Sequence, residues 1–200
     1  MGIFFFTGPP RTGKTVHIVM NAWGDYLNRR KIFSLRAPTL KFPPVEGCYT
    51  PKKLDVQEFL DITKEKIDRH PKTFLIQEAS KIFDARRSGR EENTALSSVT
   101  GQSGKRNIDI LYDDQFPTRI DKGLRDVTDK TYLCSCIPLP ETKQDPIVFE
   151  YFEFQGFMLY PTGNVHRIPA MFMKQFYPLY DTFEPTERLI TEKKKKNERE

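Results

Sequence analysis

Eight residues near the start of the chain combine the side chains and the spacing that bind phosphate groups. The run Gly8 to Thr15, GPPRTGKT, satisfies the pattern G-x-x-x-x-G-K-[ST]. Glycines let the backbone wrap so that its amides converge, the lysine brings an ammonium group, and the threonine hydroxyl can bind Mg²⁺. The pattern therefore predicts a site for the β and γ phosphates of ATP with Mg²⁺.

The residues on either side of this run support the prediction. Ile3 to Phe6 is a short apolar run typical of a strand buried on both faces, and Val19, Trp23 and Tyr26 recur at helical spacing. The loop thus stands between a strand and a helix, as phosphate binding at a helix N-terminus requires. The predicted contacts to ATP are Gly8, Pro9, Pro10, Arg11, Thr12, Gly13, Lys14, Thr15 and Val16.

A second polar position follows the apolar run Phe74 to Ile76. Enzymes that hydrolyse nucleotides usually carry Asp-Glu after such a strand, and this chain has Gln77 and Glu78. An amide can orient a metal-bound water but adds no negative charge, so we expect weaker Mg²⁺ binding and slower turnover. Thr15, Gln77 and Glu78 are the predicted metal-side residues, and Glu78 is the candidate that polarises the attacking water. Alternatively, Glu78 is an ordinary carboxylate at a helix N-terminus.

A third polar strand end is formed by Asp113, Asp114 and Gln115, after the predicted strand Ile108 to Tyr112. Ligands gather where the strands of open α/β sheets end, so Gln115 is a candidate sensor of the γ-phosphate. Asp113 and Asp114 either supply negative charge that Gln77 lacks or are simple loop acids. The sequence leaves both interpretations open.

The elements that must position these residues alternate between strands and helices, which predicts an α/β fold with a mainly parallel sheet flanked by helices. An aromatic stretch near the end, Ile147 to Ile168, predicts an appended C-terminal β-hairpin that turns at Thr162-Gly163-Asn164. The other predicted strands are Ile32 to Leu35 and Thr131 to Ile137; the predicted helices are Asp55 to Arg69, Glu91 to Arg106 and Ile120 to Val127; Arg36 to Pro51 is predicted to be a loop.

Composition bounds the class of protein. Two hundred residues fit one domain, predicted over 1–185, with a charged C-terminal tail over 186–200. A net charge of +5 and a pI near 9.0 give modest support to a polyanionic partner. The three cysteines, Cys48, Cys134 and Cys136, suit neither a disulfide framework nor a zinc site, which favours a reducing, intracellular setting. No stretch approaches 18 apolar residues, so direct membrane insertion is not expected.

Taken together, the motifs resemble the FtsK/HerA-type ATPases, in particular the Zot-like and genome-packaging ATPases of archaeal viruses. The resemblance implies a RecA-like P-loop NTPase core with additional strands, working as a ring-shaped homo-oligomer, usually a hexamer, that pulls duplex DNA by ATP hydrolysis. It rests on the phosphate loop, Phe74 to Glu78, Lys81 to Ser88, Lys105 to Ile110, Gln115, Arg119 to Lys122, Leu124-Arg125, Thr128-Asp129 and Leu179 to Thr182.

The same resemblance assigns roles to individual residues. Lys14 and Thr15 would be ligands of the nucleotide and Mg²⁺, Glu78 the catalytic carboxylate and Gln115 the sensor. Ring motors of this kind also use an arginine from the neighbouring subunit. The candidates are Arg86, Arg87, Arg119 and Arg125, with Arg87 and Arg125 preferred because they lie just beyond the two polar strand ends.

Three functions follow from these observations. The first is a DNA-translocating, genome-packaging ATPase in the host cytoplasm or the virion, with duplex DNA and viral structural proteins as partners. The second is a Zot-like assembly or export ATPase, which would need a membrane partner. The third, motivated by Gln77, is a nucleotide-gated interaction module with weak turnover.

Overall fold

One sheet of eight strands organises the computed structural model, which describes residues 2–35, 38–64, 70–87, 107–139, 141 and 144–181. The strand order is β3-β2-β4-β5-β1-β6-β7-β8. The strands are β1 Ile3–Thr7, β2 Lys31–Leu35, β3 Lys52–Leu54, β4 Lys72–Ile76, β5 Ile108–Asp114, β6 Lys130–Ile137, β7 Val148–Gln155 and β8 Tyr160–Pro169.

The strands from β1 to β6 pair in parallel, which confirms the predicted parallel sheet. Strand β5 lies between β1 and β4, so one additional strand separates the phosphate loop from the Gln77-Glu78 pair. The register aligns Ile76 with Tyr112 and Phe6 with Asp113. Because parallel strands end at the same edge, all three predicted polar ends meet there.

Within the described residues, four α-helices and several 3₁₀ segments connect the strands. The α-helices are α1 Lys14–Leu27, α2 Val56–Lys64, α3 Lys122–Asp126 and α4 Ala170–Met173; the 3₁₀ segments are Ala79–Lys81, Ala85–Arg87, Pro117–Arg119 and Lys174–Leu179. The predicted helix Glu91 to Arg106 and the predicted tail 186–200 lie outside the described residues, as does the end of the predicted Asp55 to Arg69 helix. Among the described helices, none has the length and apolar character needed to cross a bilayer.

Two apolar layers cover the faces of the sheet, and the phenylalanines of β1 show why. Successive side chains of a strand point to opposite faces. Phe5 therefore packs in the layer that contains Phe59 and Phe74, while Phe6 packs in the layer that contains Val19 and other residues of helix α1. The continuous apolar run of β1 reflects burial on both sides.

The C-terminal hairpin is present, but its predicted turn is wrong. The connection between β7 and β8 is formed by residues 156–159, and Thr162-Gly163-Asn164 lies within β8. Gly163 has a φ of 82° and sits near a register shift opposite Phe152 to Phe154, so its glycine signal marks an irregular strand position. The actual turn uses Gly156 at φ 63° and Met158 at φ 56°.

Candidate nucleotide-binding site

The phosphate loop joins the end of β1 to the start of α1 with a backbone that requires glycine at two positions. Gly8 has a φ of 134°, and a methyl group there would overlap the carbonyl oxygen of Cys134 on the neighbouring strand. Gly13 has a φ of 82°, and its added Cβ would lie 2.8 Å from the ring of Phe149. The Thr12 hydroxyl donates to the carbonyl of Pro9 at 2.7 Å and closes the loop. The two motif glycines are therefore needed for conformation and for close packing.

Lys14 is the first residue of helix α1, and its side chain folds back over the loop. Its Nζ donates to the carbonyl oxygens of Gly8 at 2.8 Å and of Pro9 at 2.7 Å. Burial lowers the pKa of Lys14, and the nearby Asp113 carboxylate opposes that shift. The first amides of α1 have no partners within the helix, so the loop joins a cation to free N–H groups, the donors that a polyphosphate needs.

Thr15 lies next to Lys14 and contacts both polar strand ends. The Nε2 of Gln77 donates to the Thr15 hydroxyl at 3.3 Å, and this hydroxyl donates to Oδ2 of Asp113 at 3.4 Å. Asp113 is only 2% exposed, and burial raises its pKa to about 7. The structure thus brings Gln77 and Asp113 together at the Thr15 hydroxyl.

The backbone and the side chain of Glu78 have different partners. Its backbone adopts a left-handed conformation with φ 49° and ψ 57°, which is uncommon for a residue with a side chain. The amide donates to Oδ1 of Asp113 at 2.7 Å, while the carboxylate pairs with Lys81. Strained conformations of this kind cluster at functional sites. Glu78 also lies close enough to Lys14 to favour the charged form of that lysine.

For two of the remaining predicted catalytic residues, Gln115 and Arg87, the structure describes the place in the chain and no contact with the loop. Gln115 directly follows β5 and is exposed, whereas Asp114 is buried and accepts from the amides of Ser80 and Phe116, both at 2.8 Å. Arg87 ends the 3₁₀ segment Ala85–Arg87, and its side chain lies outside the described part of the structure. These roles stay predictions.

Arg125 belongs to helix α3 and packs on the face of the sheet opposite α1. Its guanidinium carbon lies 5.8 Å from the ring centre of Phe157, which in turn stacks on Phe5. Its Nε is buried without a hydrogen-bond partner. The sheet therefore separates Arg125 from the phosphate loop of its own chain, and its role as an arginine from a neighbouring subunit stays a prediction.

Mg²⁺ fits this arrangement only together with a nucleotide. Across the described residues, no three carboxylate, imidazole or thiol side chains converge on one metal position. Mg²⁺ is commonly held by one or two protein oxygens plus substrate phosphates and waters. Thr15, with Asp113 and Gln77 beside it, provides such a partial set. The bound ion would draw charge from the phosphates.

The β7 strand of the appended hairpin also contributes to the loop, which the sequence did not indicate. The hydroxyl of Tyr151 donates to the carbonyl of Gly13 at 3.4 Å, and its ring centre lies 3.8 Å from that of His17 in α1. Phe149 packs against Gly13. The aromatic alternation predicted an appended hairpin, but no pattern connected that hairpin to the loop.

Comparison of the structure with known proteins decides the fold. The N-terminal domain of zonular occludens toxin from Neisseria meningitidis superposes with a TM-score of 0.63 and 20% identity, covering 90% of this chain and 98% of that one. The genome-packaging NTPase B204 of Sulfolobus turreted icosahedral virus 2, in complex with ATP-gammaS, superposes with a TM-score of 0.54 and 7% sequence identity, covering 83% of this chain and 96% of that one. The chain has a RecA-like P-loop NTPase fold.

A third similar structure is the flagellar accessory protein FlaH from Methanocaldococcus jannaschii. It superposes with a TM-score of 0.50 and 11% identity, covering 84% of this chain and 89% of that one. No protein-family model matches the sequence, and no curated protein matches it significantly. The resemblance predicted from the motifs is thus confirmed at the level of the fold.

Proposed function

We propose that this P-loop NTPase hydrolyses ATP and uses the energy to translocate duplex DNA during viral genome packaging. The observation that carries the ATPase part is the convergence of Lys14, Thr15 and Glu78 at one edge of the sheet, with β5 between β1 and β4. ATP, bound with Mg²⁺, is the substrate whose terminal phosphoanhydride bond is broken by water. Lys14 and the amides of α1 bind its phosphates, and Glu78 orients the attacking water.

Support for the DNA part is of a different kind. The chain shares its fold with a genome-packaging NTPase and carries a net charge of +5. Contacts to DNA phosphates weaken as the salt concentration rises. The host cytoplasm, the virion and contacts to viral structural proteins belong to the same proposal.

A ring-shaped homo-oligomer would complete the site. Exposed apolar side chains lie at the carboxyl end of β6 and beside it, at the edge of the sheet that also carries the phosphate loop. They are Ile137, Leu139, Ile147, Met171 and Phe172. The amide of Ile147 donates to the carbonyl of Ile137, and that of Ala170 to the carbonyl of Ile147, which brings these segments together. We assign this apolar edge to a second copy of the chain, which would bring its arginine to the site.

The test is the ATPase rate with and without duplex DNA at low and high salt. We expect DNA to stimulate hydrolysis at low salt, and Lys14→Ala to reduce the rate by a factor on the order of 100 or more. Lys122→Ala, at an exposed position of α3, is the matched control and should keep the rate. An ATPase that DNA does not stimulate at low salt would refute translocation and leave the ATPase proposal standing.

The second candidate is a Zot-like assembly ATPase. It is favoured by the larger TM-score and coverage of the zonular occludens toxin domain. ATP hydrolysis that is unaffected by DNA but increases with vesicles carrying a membrane partner would support it. The third candidate, a module with weak turnover, loses part of its motivation because Asp113 contacts Thr15 beside Gln77.

A further inference from the structure

Gln77 stands where a negative charge is expected, and the neighbouring strand offers one. Gln77 directly follows β4, whose last residue Ile76 is in register with Tyr112 of β5. Asp113 is therefore the residue beside Gln77 on the next strand. Because β5 lies between β4 and β1, Asp113 is one strand nearer to the phosphate loop than Gln77 is.

The contacts around Thr15 orient its hydroxyl for metal binding. A hydroxyl has one hydrogen and two lone pairs. The hydrogen is directed to Oδ2 of Asp113 at 3.4 Å, and one lone pair accepts from Nε2 of Gln77 at 3.3 Å. One lone pair of Thr15 remains for a cation, next to a carboxylate that attracts it.

The Asp113 carboxylate is held in place and shielded from solvent. Its Oδ1 accepts from the amide of Glu78 at 2.7 Å, and the residue is almost completely buried. A buried carboxylate is costly unless it is paired, and a divalent cation beside Thr15 would provide that compensation. The described hydrogen bonds of Asp114 go instead to the amides of Ser80 and Phe116, whereas Asp113 is the strand-end acid that contacts Thr15.

We propose that Asp113 supplies the negative charge that holds Mg²⁺ beside Thr15 and so replaces the acid that is absent at position 77. Gln77 then acts as the neutral partner that orients the Thr15 hydroxyl. This inference rests on the proposed binding of Mg²⁺ with ATP at the loop. The acidic partner of the metal would then lie on β5 instead of at the end of β4, while the strand order of the sheet stays the same.

The experiment measures how strongly Mg²⁺ improves nucleotide binding, by calorimetry with ATP-gammaS in the presence of Mg²⁺ and of EDTA. We expect Asp113→Asn to reduce the ratio of the two affinities by about 10-fold to 100-fold. The double variant Gln77→Asp with Asp113→Asn should recover most of that ratio. Paramagnetic resonance of Mn²⁺ bound with the nucleotide provides a second readout.

The outcomes separate this inference from the proposed function. If Asp113→Asn keeps the wild-type ratio, or the double variant recovers none of it, Asp113 does not replace the missing acid, while the proposal that the loop binds nucleotide is unaffected. If the wild type binds no nucleotide in either condition, the proposed function itself fails. Thermal melting checks that each variant is folded, and Asp113→Asn removes a buried charge without changing size. Asp114→Asn is the control. Its fold should be destabilised, while the ratio of its ATP-gammaS affinities with Mg²⁺ and with EDTA should match that of the wild type.

Discussion

Gly13 and Gly24 lie in the same part of the chain but in different surroundings. Gly13 caps helix α1 with a φ of 82° and leaves no space for a methyl group, since Phe149 and the Tyr151 hydroxyl lie within 3 Å of an added Cβ. Gly24 is inside α1, where an added Cβ would meet no atom within 4 Å apart from its chain neighbours and the backbone of its own helix. The two positions therefore form a matched pair.

Gly13→Ala should lower the free energy of unfolding by about 1–3 kcal/mol, because the new residue is strained and crowded. Gly24→Ala should raise it by about 0.5–1 kcal/mol, because alanine is favoured in a helix interior. Urea denaturation of both variants measures the difference. Equal effects of the two substitutions would contradict the geometry of the loop.

His17 gives the stability a dependence on pH. It is 7% exposed, its Nδ1 has no hydrogen-bond partner, and its ring packs against Tyr132 and Tyr151. Burial, assisted by the charge of His166, lowers the pKa of His17 to about 3 from 6.5. The unfolded chain takes up the proton near pH 6.5 and the native chain only near pH 3. This contribution to stability is complete above pH 6.5 and is lost as the pH falls from there.

Lowering the pH from 7 to 5 should therefore lower the free energy of unfolding by about 2 kcal/mol through His17. Asp113, whose pKa is raised, acts in the opposite direction over the same range, so the total change is smaller. His17→Phe keeps an aromatic ring and removes the titration. The difference between the two proteins in urea unfolding at pH 5, 6 and 7 isolates the contribution of His17. Parallel pH profiles would show that His17 is not the group responsible.

At the scale of elements, Arg30 ties the segment after helix α1 to two strands at the edge opposite the phosphate loop. Its guanidinium pairs with Asp109 of β5 at 2.9 Å, and it donates to the carbonyl of Lys72 and the hydroxyl of Thr73 in β4. Asp109 also accepts from the amide of Gly2 at 2.6 Å. One buried ion pair thus connects the ends of α1, β4, β5 and β1.

Arg30→Ala should destabilise the fold by about 3–5 kcal/mol, because it takes this cation away from a buried carboxylate. Lys122→Ala breaks an exposed pair with Asp126 at 3.9 Å, where the lysine side chain is 80% exposed. That control should change stability by less than about 1 kcal/mol. Thermal or urea unfolding distinguishes the two, and a loss at Arg30 as small as that at Lys122 would be the contrary result.

The elements also show what could be predicted from the sequence. Apolar runs of β1, β4 and β5 predicted the strands because burial on both faces demands continuous apolar residues. The hairpin turn was wrong because Met158 adopts a left-handed conformation that its residue type does not indicate. Whether Asp113 and Asp114 supply charge that Gln77 lacks or are simple loop acids was left open, because their position beside Gln77 depends on strand register, which tertiary packing decides.

At the scale of the whole molecule, the apolar edge defined by Ile137, Leu139, Ile147, Met171 and Phe172 sets an expectation for assembly. Met171 is 81% exposed and Ile147 is 70% exposed. Apolar side chains grouped in this way often mark protein interfaces. Within the proposed ring, this surface contacts the neighbouring copy near its phosphate loop.

Met171→Asp and Ile147→Asp should therefore lower the mass measured by light scattering in the presence of ATP-gammaS and Mg²⁺, because a charge is costly in an apolar contact. Leu27→Asp introduces the same charge at the other end of α1, where Leu27 is 49% exposed. It should leave the mass unchanged. A monomeric wild type, or equal masses for all variants, would contradict this interface.

The close approach of Gly8 to strand β6 has a chemical consequence. The Cys134 thiol beneath the loop is buried, and burial raises its pKa, so it has little of the thiolate that alkylating reagents attack. Cys48 is half-buried and provides a comparison within the same chain. The alkylation rate of Cys134 therefore measures how often the structure around this thiol opens, without any label attached to the loop itself.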